Sequence, residues 1–156
     1  MIGRYLTLED CSKSQTAINK GIDNTPPQEV ITNLNQLAIN VYDPLTDHFG
    51  FKIPFSSCYR SPALNKAIGG AKNSDHCKGL AYDFDLDNSG FQITNSALFM
   101  WAIENLQYKQ IIWEHGTSKN PAWVHISYEK GNNKREILVA TKVNGKTVYS
   151  PYKKAL

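Results

Sequence analysis

Two hydrophobic periods alternate along this chain. Val30, Ile31, Leu34, Leu37, Ala38, Val41, Tyr42 and Leu45 recur at helical spacing and give one long segment a broad apolar face. Its start is marked by Thr25 as N-cap, Pro26 at the first helical position and Gln28 completing a capping box. Pro44 predicts a kink or an end, and His48, just beyond, reads as a surface or C-terminal helix residue. Residues 91–106 predict a second amphipathic helix, with Ala97, Leu98, Trp101, Ala102 and Leu106 facing inward. A short strand over 52–57 runs into Ser61 and Pro62, which cap and open a short helix that stops at Gly69-Gly70.

The other period is two. From Leu80 to Leu86, Leu80, Tyr82, Phe84 and Leu86 take one face and Ala81, Asp83 and Asp85 the other, the signature of a half-buried strand. Residues 108–114 and 123–128 are strand-like runs joined by a polar loop containing Gly116, Ser118, Asn120 and Pro121, so a hairpin is expected. Pairing Glu114 with Trp123 sets Ile112 opposite His125 and turns all four to one face. A slip of one residue would turn His125 away. Asn144-Gly145 marks a last hairpin between 135–142 and 147–149. With no internal repeat, low-complexity tract or linker, the expectation is a single domain over 1–156.

Composition narrows the class without naming it. A net charge of +3, with no Lys/Arg cluster interleaved with aromatics, argues against a nucleic-acid partner. No apolar stretch is long enough to span a bilayer, so no membrane insertion is expected. The amino terminus lacks the apolar core of a signal peptide. Cys11, Cys58 and Cys77 are odd in number and have no CxxC spacing, which predicts free thiols rather than disulfides.

Candidate chemistry gathers at Ser74-Asp75-His76-Cys77-Lys78-Gly79-Leu80-Ala81-Tyr82-Asp83. A histidine and an aspartate stand seven positions apart, the aspartate fixed on a strand and Gly79 allowing the preceding loop to fold back. Imidazole nitrogen and carboxylate oxygen are both zinc ligands, and a catalytic zinc keeps three protein ligands and one open position. Trp123-Val124-His125 offers the third. Each histidine taken alone is more often structural than metal-bound. Arg60, at a strand-to-helix junction, suits either a ligand carboxylate or a structural salt bridge.

Three stretches together carry a resemblance: Tyr59-Arg60-Ser61-Pro62-Ala63-Leu64-Asn65, the S-x-H-x-x-G-x-A-x-D pattern from Ser74 to Asp83, and Trp123-Val124-His125. In this order they resemble the zinc D-alanyl-D-alanine carboxypeptidases of the M15 peptidase family, in particular its compact single-domain branch from phages and bacteria. The similarity runs from about Tyr5 to Tyr128 and includes Gly21-Ile22-Asp23-Asn24-Thr25-Pro26-Pro27; the hairpin after Lys130 carries no signature of it. The resemblance implies an α+β fold of the hedgehog/DD-peptidase kind: a small antiparallel sheet with helices packed on one face and a zinc cleft on the other. It implies one Zn2+ held by His76, Asp83 and His125, Arg60 on the substrate's carboxylate or carbonyl oxygen, and Ser74 in support. Tyr59 and Trp123 are expected along the substrate groove, with Trp113 either there or in the core.

The general base departs from the family pattern. Several relatives carry an acid three positions before the last histidine, where this chain has Ala122. Glu114 is the replacement favoured by the hairpin register, and Asp85 the weaker one. The implied function is a metallopeptidase acting on peptidoglycan stem peptides, a D-alanyl-D-alanine carboxypeptidase or an endopeptidase, including a phage endolysin. A monomer is expected, made in the cytoplasm and released to the cell wall or periplasm by a phage or other non-classical route. The alternative is a zinc-containing wall-binding or structural module whose catalysis has weakened.

Overall fold

The computed structural model describes residues 1–87 and 89–153. Two short helices, α1 (Leu8–Ser12) and α2 (Gln15–Lys20), precede α3 (Gln28–Leu37), a π-helical stretch (Ala38–Tyr42) and α4 (Asp43–Phe49). Next come β1 (Phe55–Ser57), α5 (Pro62–Ala67), a 3-10 turn (Asp75–Lys78), β2 (Ala81–Phe84) and α6 (Asn95–Asn105). The strands β3 (Gln110–Glu114), β4 (Trp123–Ser127), β5 (Glu136–Val143) and β6 (Lys146–Pro151) complete the chain. Among the described residues the six strands form one sheet in the order β1-β2-β4-β3-β5-β6. Every pairing is antiparallel except β3 with β5, so the sheet is α+β and mostly antiparallel.

Strand alternation divides core from cleft. Tyr82, Phe84, Ile111, Trp113, Val124 and Ile126 are buried in the core. They meet Leu34, Leu37, Val41 and Tyr42 of the long helical segment and Leu98, Phe99 and Ala102 of α6. Tyr42 stacks within 6.4 Å of Phe84 and Phe99 meets Trp113 edge-on at 5.1 Å, contacts that fix helices to sheet. The intervening residues, Asp83, Ile112, Glu114, Trp123 and His125, point away from the helices and line an open cleft.

Three expectations need correction. The long helix starts at Gln28 with no side-chain cap, and the backbone N–H of Thr25 instead donates to Asp23 at 2.9 Å. Pro26 stands before Pro27, and a residue before proline is pushed out of the helical region, so the helix cannot begin there. Pro44 neither ends nor visibly breaks the segment. The wider π turn before it, closed by Asp43 N–H to Ala38 C=O, places Pro44 in the first turn of α4, where a missing N–H costs nothing. Finally, α6 starts at Asn95, capped by Thr94, and Ala97 is exposed while Phe99 and Ile103 join Leu98, Ala102 and Leu106 inside.

Four local features form as expected, while the strand expected over 52–57 is confined to Phe55–Ser57. Ser61 accepts from Leu64 N–H and caps α5, whose first residue is Pro62. His48 is an exposed residue in the last turn of α4 and stacks on Trp101. All three cysteines are free thiols. Asn144 and Gly145 both take positive φ, the two-residue turn that matches strand twist.

Candidate metal centre and catalytic cleft

His76 is held from both sides of its ring. Its backbone N–H donates to Ser74 Oγ at 3.3 Å at the start of the 3-10 turn, and Gly79 ends that turn at φ +68°. A Cβ at Gly79 would lie 2.8 Å from Val30 Cγ1, so the close approach to α3 also requires glycine. The imidazole is 1% exposed, and its Nδ1 lies 2.6 Å from the Cys58 carbonyl oxygen. A carbonyl can only accept, so Nδ1 carries the proton and Nε2 carries a lone pair. Burial lowers the ring's pKa; the nearby Asp83 charge opposes this, and His125 and Arg60 add to it, so the ring stays neutral.

The lone pair faces a carboxylate. Nε2 lies 3.1 Å from Asp83 Oδ2, yet the geometry is not that of a hydrogen bond, and among the described residues Nε2 has no hydrogen-bond partner. A buried acceptor this close to a half-buried carboxylate calls for a cation between them. β2 pairs with β4 so that Asp83 stands directly opposite His125, and His125 Nδ1 lies 2.9 Å from Asp83 Oδ1. One ligand atom from each of His76, Asp83 and His125 falls within 4.8 Å of the others. This donor set, two imidazoles and a carboxylate, fits a zinc-type ion. Burial pushes the Asp83 carboxyl up, but the adjacent imidazoles of His76 and His125 outweigh it and hold the group well below the carboxylate range.

Around this centre the cleft holds about 660 Å³. Arg60 lies on one side, with Nη2 3.8 Å from Asp83 Oδ2 and a buried Nε that has no hydrogen-bond partner among the described residues. Its loop is clamped by Asn24, whose side chain accepts from Ser61 N–H at 2.7 Å and donates to the Tyr59 and Ser12 carbonyls. Glu114 lies on the other side, 7% exposed, at the end of β3. Burial raises its pKa to about 7; His125 pulls it down and the Asp83 charge pushes it up again. Ala122, where relatives carry an acid, donates its N–H to the Glu114 carbonyl at 2.9 Å. The two positions are therefore cross-strand neighbours, but the cleft lining includes Glu114 and not Ala122.

The remaining candidates are placed less directly. Ser74 lines the cleft and caps the turn that carries His76. Trp123 lines both this cleft and an adjoining depression; Tyr59 is buried in the core and reaches only that depression. Trp113 sits in the core, donating its indole N–H to the Thr117 carbonyl. Asp85 is turned to the Asp87 N–H and the Asn95 side chain, outside the cleft. Two features escaped sequence reasoning. His115, at φ +52°, lies beside Glu114 and against the Trp123 ring at the cleft rim. The Cys58 carbonyl is the other; its only sequence sign was the need of a ligand histidine for some partner. A larger hollow of about 840 Å³, near Trp113, Val139 and Tyr152, has no carboxylate among its described lining residues, whereas the smaller cleft holds the possible metal trio.

A model of the Peptidase M15 family matches residues 4–127. The chain belongs to the M15 peptidases. It is thus a hydrolase and a metallopeptidase of a family of zinc enzymes of the peptidoglycan-hydrolase kind, and it carries at its cleft a trio of side chains that could hold the metal. A search of curated proteins found no match. No helix among the described residues of this M15 peptidase is long and apolar enough to cross a membrane.

Proposed function

We propose that this M15 peptidase hydrolyses peptide bonds in the stem peptides of peptidoglycan, with one zinc ion held by His76 Nε2, Asp83 and His125 Nδ1. The observation that carries the reading is the buried lone pair of His76 facing the Asp83 carboxylate. Zinc, when bound there, supplies a Lewis acid that lowers the pKa of water and polarises a carbonyl. Glu114 is the base: it takes the proton from the attacking water and delivers it to the leaving amine. Arg60, with an unpartnered Nε, binds the developing oxyanion or a terminal carboxylate. Ser74 and the Cys58 carbonyl keep His76 in one tautomer and one orientation. In this reading the protein works as a monomer and acts at the cell wall.

The test combines metal content with digestion of purified peptidoglycan. About one zinc per chain, with new amino termini or free D-alanine released by the wild type, is the expected result. Glu114→Gln should keep the metal and lose about 10²- to 10⁴-fold in kcat. The product distinguishes a D-alanyl-D-alanine carboxypeptidase from an endopeptidase. The acid missing at Ala122 favours the second reading, a wall-binding module, which predicts zinc with no cleavage and no effect of Glu114→Gln.

A further inference from the structure

The segment that matches the family ends at residue 127, but the cleft does not. Leu138, Thr147 and Tyr149, all from the β5–β6 hairpin, line it together with the metal trio. Register explains how. β5 joins the sheet beside β3 with Ala140 opposite Glu114, and β6 then sets Tyr149 opposite Ala140. A transverse row results, Trp123–Glu114–Ala140–Tyr149, with all four side chains on the cleft face. Tyr149 stands two strands from Glu114, about 10 Å away, with only the small, buried Ala140 between them.

The Tyr149 ring is placed to meet a ligand. It is 54% exposed, and among the described residues its hydroxyl has no hydrogen-bond partner. Partial burial raises the phenol's pKa, and the Glu114 and Asp83 carboxylates add to this, as expected of a group that shares their cleft. From β2, which carries Asp83, to β6 the cleft face crosses four strand spacings, about 19 Å. That is the length of about five or six extended residues, more than a terminal dipeptide needs.

We propose that the β5–β6 hairpin is an added substrate wall, and that Tyr149 is a specificity-determining residue which binds the peptide chain on the Glu114 side of the scissile bond. The chemistry fits a peptide: the phenol hydroxyl donates to or accepts from backbone amides, and the ring packs on a small side chain. Thr147, two positions earlier on the same face, extends the wall. The proposal rests on the stem-peptide reading above for its ligand class.

The test is calorimetric binding of a soluble pentapeptide stem ending in D-alanyl-D-alanine to the full-length, zinc-loaded chain carrying Glu114→Gln, so that binding is read without turnover. Adding Tyr149→Phe or Tyr149→Ala should weaken binding about five- to tenfold, while Val148→Ala, on the opposite face of β6, should not. In the otherwise wild-type chain the Tyr149 loss should fall mainly on KM. Affinity within twofold of the parent in both Tyr149 variants, at unchanged Tm, overturns the wall. A pentapeptide bound through Tyr149 but never cleaved by the wild type leaves the wall standing and removes the peptidase reading. Cleavage with a KM indifferent to Tyr149 does the reverse, and no binding by any variant overturns both.

Discussion

Glu114 owes its raised pKa to the water removed from around it. With a pKa near 7 its carboxyl is protonated in acid and accepts no proton there; as pH rises through that value it becomes a competent base. Hydrolysis should therefore show an acid limb at or below about pH 7, with kcat/KM falling tenfold per pH unit beneath it. A bound cation adds to the pull of His125 and moves the limb lower. A pH profile of kcat/KM checks this, and the residual rate of Glu114→Gln should lack the limb. Glu114 and His125 could be placed from sequence because a period of two and a hairpin register fix which face a side chain takes. His115 could not, since its left-handed backbone lies just past the regular pattern. A backbone carbonyl or Asp85 could be expected to meet His76, but not the Cys58 carbonyl in particular, because a backbone carbonyl is the same at every residue.

The elements differ in how openly they declare themselves. Ser61-Pro62, the alternation through Asp83 and Asn144-Gly145 each combine a local steric rule with a hydrophobic period, and each formed as expected. The start of α3 and the passage through Pro44 misled because two local rules compete there. Capping chemistry favoured Thr25, but the Pro-Pro pair forbade it, and a π turn absorbed a proline that a regular helix would not. The 3-10 turn that carries His76 is the element most exposed to a single change. Gly79→Ala adds a Cβ against Val30 at a positive φ, and should cost about 1–3 kcal/mol. Thermal unfolding should report a lower Tm. Metal affinity should fall with it, because the same turn aims the His76 ring.

Across the whole molecule the sheet is a partition, with core aromatics on one side and the charged centre on the other. Binary patterning made that division legible, but not the order of the strands. Nothing in the sequence announced that β5 would lie parallel to β3, since such a pairing is set by how the chain returns after Tyr128. That placement decides what happens at the rim of the sheet. Without the hairpin, β3, which carries Ile111, Trp113 and Glu114, would present a row of unpaired N–H and C=O groups to any passing strand. A chain cut after residue 130 should self-associate, visible as higher-mass species by light scattering. With the hairpin in place the outermost strand is β6, exposed throughout, with Lys146 at one end and Pro151, which has no N–H to offer, at the other. The hairpin thus moves the adhesive margin of the sheet from the strand that carries Glu114 to one poorly suited to recruit a neighbour.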